Sequence, residues 1–98
     1  MKETIFYIVI SIKTSSGHEK ISQFFIGNDN KSATHLFNAL KGDEDIDEGN
    51  ILLLELMEKK EQLPQNLRLI RCTLDELGEN CKLITKHIFA HYNLKKQV

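Results

Sequence analysis

The side chains of this 98-residue chain that could ligate a metal, attack a substrate or titrate near neutral pH are four histidines and two cysteines: His18, His35, His87, His91, Cys72 and Cys81. His87 and His91 stand four apart in a stretch that reads as helix, so both rings share one face, a spacing that can hold zinc. No glutamate follows His87 as a metalloprotease motif requires, and a third ligand, His18 or His35, would have to arrive through folding. Two half-exposed histidines at a helix C-terminus are the simpler reading. Cys72 is expected on the inward side of a strand and Cys81 on the buried stripe of a helix, where thiols pack as small apolar groups. A nucleophilic thiol needs a basic partner and some exposure, and neither is written into the sequence around Cys72. A metal-dependent or thiol enzyme using His87, His91 or Cys72 is therefore the alternative reading, and a non-catalytic one comes first.

Other chemistry is suggested more faintly. Residues 43–48 carry five carboxylates in six positions, with Asp43, Asp45 and Asp47 at the first, third and fifth places of a calcium loop. The pattern then fails, because Glu48 stands where the loop needs glycine and Leu54 where it needs glutamate. A solvated acidic loop remains. Ser15, Ser16 and Gly17 lack the glycine spacing and the lysine-serine pair of a phosphate loop, and read as a hairpin turn. Lys82, Lys86, Lys95 and Lys96 make the end of the last helix basic, but without interleaved aromatics they read as a solvated face that complements the helix dipole. No cofactor signature and no small-molecule site emerge.

The elements that would position these groups are organised around Ile5 to Ile12, IFYIVISI, a run rich in β-branched and aromatic residues that suit a strand. Alternation sends Phe6, Ile8, Ile10 and Ile12 one way and Ile5, Tyr7 and Val9 the other. A turn centred on Ser16 brings back a second strand over 19–27, with Ile8 opposite Phe24, Tyr7 opposite Phe25 and Phe6 opposite Ile26. Ala33, Leu36, Phe37 and Leu40 repeat at helical spacing, predicting a helix over 32–41 capped by Asn30 or Ser32 and ended near Gly42.

Residues 51–74 are ambiguous, since the leucines and glutamates favour helix while Pro64 and LRLIRCTL favour strand. A hairpin centred on Leu63 is preferred: it sets Leu54 against Cys72, Leu56 against Ile70, Met57 against Leu69, Glu55 against Arg71 and Glu58 against Arg68. Thr73 and Glu76 form a capping box for a last helix over 74–93, with Leu74, Leu77, Cys81, Ile84 and Ile88 along its buried stripe. Gly78 inside it is expected to mark a close pass over the sheet, and the tail LKKQV is expected to fray.

These elements compose a two-layer α+β sandwich in the order ββαββα, a four-stranded, mainly antiparallel sheet with two helices on one face, in one domain spanning 1–98. A formal charge of −1 gives no field to attract nucleic acid. The lysine and short apolar run at the N-terminus do not read as a secretory signal: Glu3 precedes the run and no small-residue cleavage site follows. Without a membrane-length apolar stretch or a disulfide pattern, the expectation is a cytoplasmic chain with free thiols. Helices on one side leave Ile5, Tyr7, Val9, Phe25, Leu53, Met57 and Leu69 on the other, too apolar a patch for a solvated face. It is the expected interface with another protein, most simply a second copy in a homodimer.

Overall fold

The structure, a computed structural model, describes residues 4–44 and 50–93, with side chains through residue 90. Its elements run β1 (Thr4–Thr14), β2 (Gly17–Gly27), α1 (Asn30–Ala39), β3 (Leu52–Lys60), β4 (Leu63–Cys72) and α2 (Leu74–Asn93). The strands form one antiparallel sheet in the order β2-β1-β3-β4, so the most apolar strand lies in the interior, paired on both edges. The expected ββαββα architecture is present, and residues 52–60 are strand.

The alternation in β1 decides the layers. Phe6, Ile8 and Ile10 are buried together with Leu52, Leu54, Leu56, Ile70 and Cys72 from the paired strands. Ala33, Leu36 and Phe37 of α1 and Ile84 of α2 close over the same face, which places both helices in one layer.

The first hairpin turns tightly at Ser15 and Ser16: the Thr14 hydroxyl donates to the Gly17 carbonyl at 2.8 Å and accepts from Ser16 N at 3.2 Å. Its register agrees with expectation at Tyr7–Phe25 and Ile8–Phe24. Phe6, however, faces Gly27, because β2 carries an extra residue there and Ile26 bulges toward the core, 3 % exposed.

The second hairpin is displaced from the expected register, by two residues over Leu52–Leu56 and by three nearer the turn. Its loop is Glu61 and Gln62, both at positive φ (53° and 73°), the geometry whose twist matches paired strands. Leu52 therefore faces Cys72, Leu54 faces Ile70 and Leu56 faces Arg68. A shift of two keeps Leu52 to Leu56 and Arg68 to Cys72 on their expected faces with new neighbours; past the bulge at Leu67 the shift is three, so Asn66 and Pro64 come onto the face of Met57 and Lys59. The expected Glu55–Arg71 and Glu58–Arg68 pairs are replaced: Glu55 accepts from Asn66 Nδ2 at 2.8 Å, and Arg68 meets Glu44 at 3.4 Å.

Helix α1 begins two residues early, because Asp29 is the cap, its Oδ2 accepting from Ser32 N at 2.9 Å. It ends at Ala39, where Leu40 turns extended, and Gly42 has a different task. There the chain lies so close to β4 that a Cβ would stand 2.6 Å from the Arg71 carbonyl oxygen. Next to it Asp43 exchanges both main-chain hydrogen bonds with Arg71, each 2.7 Å, and closes part of the β4 edge. The capping box of α2 forms as expected: Thr73 N donates to Glu76 Oε1 at 2.9 Å and Glu76 N to Thr73 Oγ1 at 3.2 Å.

Candidate functional site

Cys72 lies at the end of β4 beneath the start of α2 and has no exposed surface. Burial above all, and then the Glu76 carboxylate, push its thiol from 9.0 up to about 11, against a hydrogen bond from Asn80 that lowers it. At neutral pH it is a protonated packing group, the reverse of an activated nucleophile. Cys81 is half-buried on α2, and both cysteines are free thiols.

Asn80 is the polar residue that the sequence reading missed. It has no exposed surface, lies on the inner side of α2, and clamps the main chain of Lys41 just past the end of α1. Its Oδ1 accepts from Lys41 N at 2.7 Å and its Nδ2 donates to Lys41 O at 2.8 Å. Leu74, by contrast, is 68 % exposed. The available signal was positional: residue 80 is three beyond Leu77 and four before Ile84. Among the described residues no buried side-chain polar atom lacks a partner.

The histidines stay apart by element. His18 is exposed at the first hairpin, opposite Lys13, and His35 is exposed on α1. His87 is half-buried, with Nε2 3.1 Å from the Ile26 carbonyl; in the tautomer protonated there it donates, tying α2 to the end of β2. The side chain of His91 lies outside the described residues, as do Asp45 and Asp47 of the calcium spacing and the tail LKKQV. Among the described residues no three of His, Cys, Asp and Glu converge where an ion could sit.

The described part of the acidic run is fastened to the sheet. Arg68 pairs with Glu44, donates to Asn38 Oδ1 and lies 5.7 Å over the Phe37 ring, while Arg71 donates to the Glu44 carbonyl at 3.2 Å. Of the basic residues on α2, Lys82 lies 4.0 Å from Glu79, and Lys82 and Lys86 flank a shallow depression of about 460 Å³ with Gly78, Cys81 and Thr85. Gly78 makes no close pass over the sheet; nothing lies within 4 Å of where its Cβ would be.

What remains is the second face of the sheet. Ile5, Tyr7 and Val9 of β1, Phe25 of β2, Leu53 and Met57 of β3 and Leu69 of β4 are all half-buried there. Across it run the rows Phe25–Tyr7–Met57–Asn66 and Gln23–Val9–Glu55–Leu69, with Ile5 beside Lys59 at one end. Polar side chains share the face: Gln23, Lys59 and Arg71 stand in its rows, and Asn66 Nδ2 reaches both Glu55 and the Met57 sulfur, the latter at 3.7 Å. No family model matches the chain, and neither a curated protein nor a solved structure does. Among the described residues no helix is long and apolar enough to cross a membrane.

Proposed function

We propose that this chain is a small non-catalytic protein-interaction or regulatory module that self-associates as a homodimer through the second face of its sheet. The observation that carries this reading is the layer arrangement: both helices pack on the Phe6–Ile8–Ile10 side, while Tyr7, Val9, Leu53 and Met57 stand half-buried on the other. Apolar surface of that kind gains free energy when a second surface displaces its water. A second copy is the occupant because symmetric pairing lets one patch serve both sides. The free state of both thiols supports a reducing, cytoplasmic setting. An enzyme built on Cys72 is opposed by the burial that holds its thiol protonated.

Light scattering of the purified chain across a concentration series tests the proposal. A dimer mass at high micromolar concentration, reduced to the monomer by Tyr7→Lys, is the expected result. A strict monomer throughout, unchanged by Tyr7→Lys, overturns it.

A further inference from the structure

We infer that the two copies of the proposed pair are related by a dyad that runs across the strands beneath the Tyr7–Met57 row, so that Glu55 of each copy meets Lys59 of the other. This rests on the proposed self-association and adds its geometry. Two orientations of a two-fold axis stack such faces with their strands aligned: one along the strands between β1 and β3, the other across them. The axis along the strands exchanges β1 and β3, which sets Glu55 against Val9 of the second copy, since Val9 and Glu55 are partners across the sheet. That buries a carboxylate against an apolar side chain, a costly arrangement.

An axis across the strands lays each strand antiparallel over its own copy. Placed under Glu55, it brings the two Glu55 carboxylates together, like against like. Placed one row on, under Tyr7 and Met57, it exchanges the row of Val9 and Glu55 with the row of Ile5 and Lys59. Glu55 then meets Lys59, Val9 meets Ile5, and Leu69 meets Pro64, which is the cross-strand partner of Lys59. Met57 and Tyr7 lie on the axis against their own copies, and Leu53 moves to the rim beside the Glu61 turn. Of these placements, this one pairs the charges on β3 and keeps the apolar groups with each other.

The area suits a weak, reversible contact. Four strands about 4.8 Å apart overlap over roughly 23 Å centred on the Tyr7–Met57 row, which gives about 440 Å² per copy, near 900 Å² in total. The molecule's extents of 45 × 31 × 19 Å make it a slab whose broad side can carry that contact.

Charge exchange provides the test, with dissociation constants from sedimentation equilibrium. Glu55→Lys and Lys59→Glu each create two symmetric like-charge contacts and should each weaken the dimer at least roughly tenfold. The double variant restores both pairs with signs exchanged and should return to within about threefold of the original. If the double variant is weaker than either single one while the parent chain still dimerises, the dyad is wrong and the self-association stands. If the parent chain is monomeric, both fall. A second measurement does not depend on the charges: in a Cys81→Ser background, Tyr7→Cys should form a disulfide-linked dimer on mild oxidation, because residue 7 meets its own copy at the axis, whereas Leu53→Cys at the rim should not. Efficient cross-linking at Leu53→Cys with none at Tyr7→Cys overturns the axis.

Discussion

Replacing Asn80 by alanine removes a side chain that joins α2 to the chain just past α1 by two hydrogen bonds. The amide makes two such bonds to the main chain of one residue, 2.7 Å from Lys41 N and 2.8 Å to Lys41 O, from a site with no exposed surface. Each backbone group left without its partner in a partly buried setting costs about 1–3 kcal/mol. Because the Lys41 residue is itself exposed, water can re-enter and the lower half of that range applies. Adding the small void left beside Cys72, the loss is about 2–4 kcal/mol. Domains of this size have roughly 5–15 kcal/mol in hand, so the change is easily read in urea unfolding followed by far-ultraviolet circular dichroism. Asn80→Asp sharpens the test. It keeps the acceptor for Lys41 N but turns a carboxylate oxygen toward the Lys41 carbonyl, which raises the folded-state pKa of the new acid. Its penalty relative to the parent is therefore small below the ordinary carboxylate pKa, where a protonated acid can donate, and grows as pH rises toward neutrality. A loss under 1 kcal/mol for Asn80→Ala, or an Asn80→Asp penalty that does not change with pH, would refute the clamp.

Two glycines should respond in opposite directions. Gly42→Ala drives a methyl into the Arg71 carbonyl, 2.6 Å away, and must part the Asp43–Arg71 bridge; a loss of about 2–4 kcal/mol in chemical denaturation, with faster hydrogen exchange at the Arg71 amide, is expected. Gly78→Ala meets nothing within 4 Å and should raise stability by about 1 kcal/mol, which the denaturation midpoint measures. Cys72, with its thiol raised to about 11, contributes stability that is full below the ordinary thiol pKa and is lost as pH climbs from about 9 to 11. The parent chain should therefore lose about 2–3 kcal/mol more than Cys72→Val across that window, and parallel alkaline unfolding curves would contradict the assignment.

The layers were legible in the sequence because alternation is a local property: the apolar positions of β1 fix which side chains share a face whichever strands come next. In the second hairpin the faces held only in part. Opposite-charge pairing points to a pivot at Leu63, whereas the loop forms at Glu61–Gln62; the shift of two over Leu52–Leu56 changes partners without exchanging sides, while the bulge at Leu67 turns Asn66 and Pro64 onto the second face. Surface charge pairs were a weak guide to register, since Arg68 found Glu44 from a distant loop instead of a carboxylate on β3. The features that depend on long-range approach were illegible. Asn80 on a helix stripe looks like any exposed amide until Lys41 is beside it, and Gly42 looks like a helix stop until Arg71 is seen against it. Of the candidate chemistry, the inward position of Cys72 was readable from the strand pattern. The tie from His87 to the Ile26 carbonyl was not, because it joins residues 61 apart in the chain.

The central claim, that the Tyr7 face of the sheet is built to meet a second copy, is tested most directly by the mass of the unmodified chain in sedimentation equilibrium from low to high micromolar concentration. The account predicts a reversible rise from the monomer mass of 11.3 kDa toward twice that value. A single monomer mass across the whole range would contradict it.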